Sequence, residues 1–162
     1  MSDIDIERRA LLAASGAFAL VGYAGLAMPI RAAGLAATPS MRGGANNYVP
    51  GAQIVERIGG GGFWMSGTVR RAGDGVPLPG QRIQIWAHTT EGSERDLRSH
   101  GATLTDANGA FRLEMPQIIP ALGQAHAHLA YDSGDYDTVF LRPLLQDPKV
   151  TSLEAHFILQ PV

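Results

Sequence analysis

Beyond residue 40 no stretch of ten or more residues carries an apolar stripe at helical spacing. Several short stretches instead alternate with period two, the repeat of a strand buried on one face. In RIQIWAH, Arg82, Gln84, Trp86 and His88 share one face, and Ile83, Ile85 and Ala87 share the other. Phe111, Leu113 and Met115 alternate with Arg112 and Glu114. Leu153, Ala155, Phe157 and Leu159 alternate with Glu154, His156 and Ile158, which predicts one continuous strand with His156 on its exposed side. Turn signals fall between these runs: AGDG at 72–75, PLPG at 77–80, DANG at 106–109 and DSGD at 132–135. A chain patterned in this way folds as an all-β sandwich of about seven short strands, spanning residues 63–162.

Hydrophobic residues make up 45% of the chain, enough for a packed core, and the net charge of -2 carries no basic stripe that would engage nucleic acid. With no cysteine present, disulfides, thiolate metal sites and cysteine nucleophiles are excluded. Any metal must then be held by histidine, carboxylate or tyrosine. The stretch GQAHAHLAYDSGDYDTVF places His126 and His128 two residues apart. On a strand they project from one face about 7 Å apart at the backbone, close enough for both imidazoles to meet one ion. The other reading keeps them as hydrogen-bonded residues over a vacated site. His88 and His100 read as surface or turn histidines, and Trp86 as sandwich packing. Tyr131 and Tyr136 read as cross-strand packing around the DSGD turn. Asp132, Asp135 and Asp137 match no complete calcium ligand set and read as a polar turn. The chain has no GxSxG, P-loop or dinucleotide fingerprint.

The N-terminus has a different character. Arg8 and Arg9 precede 21 uncharged residues rich in Ala, Gly and Leu. This resembles a twin-arginine export signal, with Leu11 and Leu12 behind the arginine pair, although Glu7 stands where Ser or Thr is usual. Gly34-Leu35-Ala36 offers small residues for cleavage before Ala37. Left uncleaved, the segment is long enough for a single hydrophobic helix anchored in a membrane. In either case residues 1–36 direct the folded part to the periplasm, soluble after cleavage or tethered to the inner membrane. Residues 37–62 lack strand or helix period and read as a linker that lies over the domain or stays mobile.

Three stretches, WMSGTVRRAGDGVPLPGQRIQIWAHTTEG, TLTDANGAFRLEMP and AHAHLAYDSGDYDTVFL, resemble in this order the core of the intradiol ring-cleavage dioxygenases. The match covers about residues 63 to 145. The resemblance implies an immunoglobulin- or transthyretin-like β-sandwich, a ferric ion held by two tyrosines and two histidines, and a catecholic substrate. It places His126 and His128 at the two histidine ligands. Glu94 stands where the first tyrosine ligand falls. The loop PQIIPALGQA, where the second belongs, has no tyrosine, and Gly123 and Gln124 occupy the region of the family arginine. Glu94 or His88 is then the candidate third ligand, in a set that suits ferrous iron, zinc or copper. Two functions follow. One is an exported, metal-binding dioxygenase-like enzyme acting on catecholic compounds. The other is a catalytically degenerate, membrane-anchored accessory subunit of a membrane protein complex, with homo-oligomers also expected from the family.

Overall fold

The computed structural model describes residues 34–162. The expected export signal or hydrophobic helix, including Arg8 and Arg9, lies outside the described residues. Of the segment before the expected cleavage point only Gly34 to Ala36 is described. There Leu35 exchanges two backbone hydrogen bonds with Gly73, at 3.1 and 2.8 Å.

The described chain is almost entirely β, with eight strands in two four-stranded sheets. The strands are β1 (Phe63–Arg71), β2 (Arg82–Ala87), β3 (His100–Leu104), β4 (Ala110–Met115), β5 (Ala127–Tyr131), β6 (Val139–Leu141), β7 (Ser152–Glu154) and β8 (Phe157–Leu159). A short 3-10 turn, Leu97–Ser99, precedes β3. One sheet has the order β4-β1-β7, with β8 also paired to β1, and the other has the order β3-β2-β5-β6. The core lies between them. Phe63, Met65 and Val69 come from one sheet, and Ile83, Ile85, Leu129 and Tyr131 from the other, all fully buried. Alternation decides which side chains enter this core, so each strand has a second row on its outer face.

The C-terminal stretch is not one strand. β7 pairs in parallel with Trp64–Ser66 and β8 with Val69–Arg71, and the chain bulges at Ala155 between them. Gly67 permits the bulge: a Cβ there would lie 1.6 Å from the Ala155 carbonyl oxygen. The DANG turn works as its residues suggest. Asp106 Oδ1 accepts the N–H groups of Asn108 and Ala110, and Gly109 takes a positive φ of 71°.

Residues 38–62 lie over the domain and finish both sheets. Met41 N–H donates to Phe140 O at the β6 edge (2.7 Å). Ala102 and Val55 exchange with Gln53 and Ala102 at the β3 edge, and Ile58 N–H donates to Glu114 O at the β4 edge. Between Met41 and Gln53 the chain crosses the outer face of the β3-β2-β5-β6 sheet from one edge to the other. This strap makes a third layer, and it has no period because it pairs with edges and side chains instead of forming a sheet of its own.

Candidate metal centre

The outer face under the strap carries a row of rings. Antiparallel register sets Trp86 opposite both His100 on β3 and His128 on β5. The three rings stack almost parallel, Trp86 lying 5.5 Å from His100 and 5.1 Å from His128, with interplanar angles of 4° and 7°. Trp86, read as sandwich packing, is therefore not in the sandwich core. It is sealed from solvent on the opposite face by the strap, with Nε1–H donating to Asn46 O (2.9 Å) and the Tyr48 ring 5.6 Å away. His100 departs from expectation in the same way. It is buried, donates Nε2–H to Glu94 O (2.9 Å) and meets Gln84 Nε2 through Nδ1 (3.4 Å). Tyr131 sits in the core with Tyr136 packed edge-on against it, 6.0 Å between centroids. His156 is exposed on the far sheet, where its Nδ1 accepts the Thr68 N–H.

Glu94, His126 and His128 come together at one end of this row, with donor atoms within 4.8 Å of one another. His128 is on β5, His126 just precedes it in a bridge to Leu144, and Glu94 reaches over from the β2–β3 connection. His88, the other candidate third ligand, is not part of the group. Glu94 Oε2 lies 3.4 Å from Nε2 of each histidine. The far sides of the rings fix their tautomers. His128 Nδ1–H donates to Gly44 O (2.9 Å), and His126 Nδ1–H donates to Gln124 O (2.8 Å). Both Nε2 atoms then present lone pairs to a carboxylate oxygen.

Three lone pairs facing one point repel unless a cation lies between them. A proton fits poorly, because 3.4 Å exceeds the ~2.7–2.9 Å of a charge-assisted N–H···O bond. Burial also holds the His128 imidazole below its ordinary value of 6.5, against the smaller opposing effects of the Gly44 carbonyl and the Glu94 charge. Glu94 Oε2 and His128 Nε2 are both sealed from solvent and without a hydrogen-bond partner. Bonds of roughly 2.0–2.2 Å to a tetrahedral ion separate its ligand atoms by about 3.3–3.5 Å, which matches the two Glu94–histidine distances. The residues present fit a divalent ion.

Asn47 and Arg142, which nothing in the sequence patterning singled out, complete the surroundings. Asn47 Nδ2 donates to Glu94 Oε1 (2.7 Å), leaving Oε2 as the single free donor. Asn47 is also the one non-glycine among the described residues with a positive φ, 58°. Asn tolerates that conformation better than most residues, and such strain gathers at functional sites. The adjacent pair Asn46-Asn47 was the only local signal for it. Arg142 Nη2 lies 3.3 Å from His126 Nδ1, too far to displace the 2.8 Å bond of that N–H to the Gln124 carbonyl, and Arg142 Nε is buried without a partner.

No family profile matches the chain, and no curated protein matches it in sequence. Solved structures do match. 3-Chlorocatechol 1,2-dioxygenase from Rhodococcus opacus 1CP superposes with a TM-score of 0.58 at 17% identity, over 78% of this chain and 73% of that one. Hydroxyquinol 1,2-dioxygenase from Pseudomonas putida DLL-E4 gives 0.59 at 14% identity, over 79% and 68%. The dioxygenase domain of a dioxygenase–carbohydrate-binding protein fusion from Streptomyces sp. SirexAA-E gives 0.57 at 16% identity, over 78% and 99%. At these identities the likeness establishes a shared fold.

Proposed function

We propose that this chain is an exported metalloprotein on the intradiol-dioxygenase fold, holding one divalent ion on Glu94, His126 and His128. The observation that carries the reading is the convergence of Glu94 Oε2 with two imidazole lone pairs, two of the three atoms buried and unpaired. Two histidines and one carboxylate form a set used by ferrous iron and zinc, and copper also accepts imidazole. A ferric tyrosinate centre needs phenolates, and two of the chain's tyrosines, Tyr131 and Tyr136, are committed to packing in and against the core. The bound ion would supply Lewis acidity or dioxygen activation at its open positions. The protein's part is to fix the two tautomers through Gly44 and Gln124, hold the carboxylate through Asn47 and exclude water with the strap.

Compounds related to the substrates named for the solved relatives, catechols and hydroxyquinols, are the class to test on this chain. The relevant experiment loads the purified protein with ferrous and with ferric iron, records the visible spectrum and supplies catechol with dioxygen. The expected result is bound iron without a tyrosinate-to-iron charge-transfer band and without intradiol ring-cleavage product. A band together with product would overturn the reading.

The strap favours a second role. It covers the outer face and buries His128 completely, which suits an ion held for structure in an accessory subunit presented to the periplasm. Arg8-Arg9 with the apolar run behind them supports that location.

A further inference from the structure

A cavity of about 520 Å³ lies away from the three metal-ligating residues. It lies beside His100, between strap residues 49–59 and the 3-10 turn, and its lining includes neither His126 nor His128. The Trp86 ring stands between His100 and His128, and the groove shares no lining residue with the metal centre, although His100 donates to the Glu94 carbonyl. The volume falls within the roughly 300–1,000 Å³ usual for small-molecule sites.

Its chemistry is one-sided. Val49, Pro50, Val55, Ile58 and Leu97 give it an apolar wall, and Leu97 is 69% exposed although its loop is held in place. The charged side chains in the lining are two arginines, Arg57 and Arg98, with no acid among them. Each arginine has an acidic neighbour outside the groove at more than hydrogen-bond distance: Glu114 at 3.8 Å and Asp96 at 3.6 Å. Their forked donors are therefore available to a carboxylate, which guanidinium binds in a two-pronged manner. His100 adds no competing charge. Both of its nitrogens already have polar partners, Gln84 Nε2 and the Glu94 carbonyl.

We propose that this groove binds a small organic acid, its apolar body against Val49, Val55 and Leu97 and its carboxylate between Arg57 and Arg98. The site is separate from the metal centre and does not depend on the metal reading.

The test titrates the full-length chain with phenylacetate, with uncharged phenylacetamide and with cationic phenethylammonium, following backbone amide signals by NMR. Phenylacetate is expected to shift the amides of Val55, Leu97 and His100 saturably. Phenylacetamide is expected to bind at least tenfold more weakly, and phenethylammonium not at all. The double variant Arg57→Gln, Arg98→Gln, altered at two exposed side chains, should bring the acid to the affinity of the amide. The amide signals of that variant away from the groove should keep the positions they have in the unaltered chain, which shows that it is folded without reference to the metal centre. Equal affinity for acid and amide, the absence of saturable shifts, or shifts centred away from these residues would overturn the proposal.

Discussion

Asn47 does two jobs through one residue. Its left-handed backbone turns the strap over the sheet, and its amide ties down one oxygen of Glu94 so that the other faces the histidines. Partners that orient a ligand in this way are typically worth about 10–100-fold in metal affinity. Asn47→Ala should weaken zinc binding by that factor, as measured by competition with a chelating dye, and Asn47→Asp should not restore it, because a second carboxylate would repel Glu94. His128 and His100 make a separate prediction for the metal-free chain. Both are held below 6.5 chiefly by burial. The unfolded chain therefore takes up protons first as pH falls. Stability is complete above about pH 6.5 and declines below it, down through the lower folded values. Urea midpoints between pH 8 and 5 should follow that course, and His128→Asn should flatten part of the slope.

Among the elements, β1 shows how a single position sets local topology. It pairs with β7 along one half and β8 along the other, and Gly67 at the changeover admits the Ala155 carbonyl. Gly67→Ala would press a methyl group into backbone, and overpacking of this kind costs about 1–3 kcal/mol. Urea denaturation should show that loss, with metal affinity at the distant triad unchanged. Period two in residues 153–159 identified the strand material but could not reveal this break. The break depends on a glycine more than eighty residues away in the chain. The strap was illegible for a similar reason. Its contacts with His128, Trp86, Gln84 and Glu94 span 84, 40, 35 and 47 residues, and the first three are hydrogen bonds to backbone carbonyls, which leave no sequence pattern.

For the molecule as a whole, alternation and turn chemistry were sufficient to indicate two packed sheets, because each strand needs only one buried face. Alternation set Ile83, Ile85 and Ala87 on the core face, but gave no reason for Trp86 to be buried among the polar residues of the other face. Its burial there depends on the third layer that covers the outer face. The histidine pair was legible because strand spacing alone puts both rings on one side. Glu94 was named through its position in a family pattern, and the structure brings it, not His88, to the pair. The outer face of the second sheet thus brings one carboxylate and two imidazoles to a point that suits a divalent ion. Calorimetric titration of the metal-free full-length chain with zinc tests this most directly, comparing the unaltered protein with Glu94→Gln and His128→Asn. The account predicts one equivalent bound to the unaltered chain, with affinity falling by at least a hundredfold in each variant. Zinc binding that is absent from the unaltered chain, or equally strong in the variants, would contradict it.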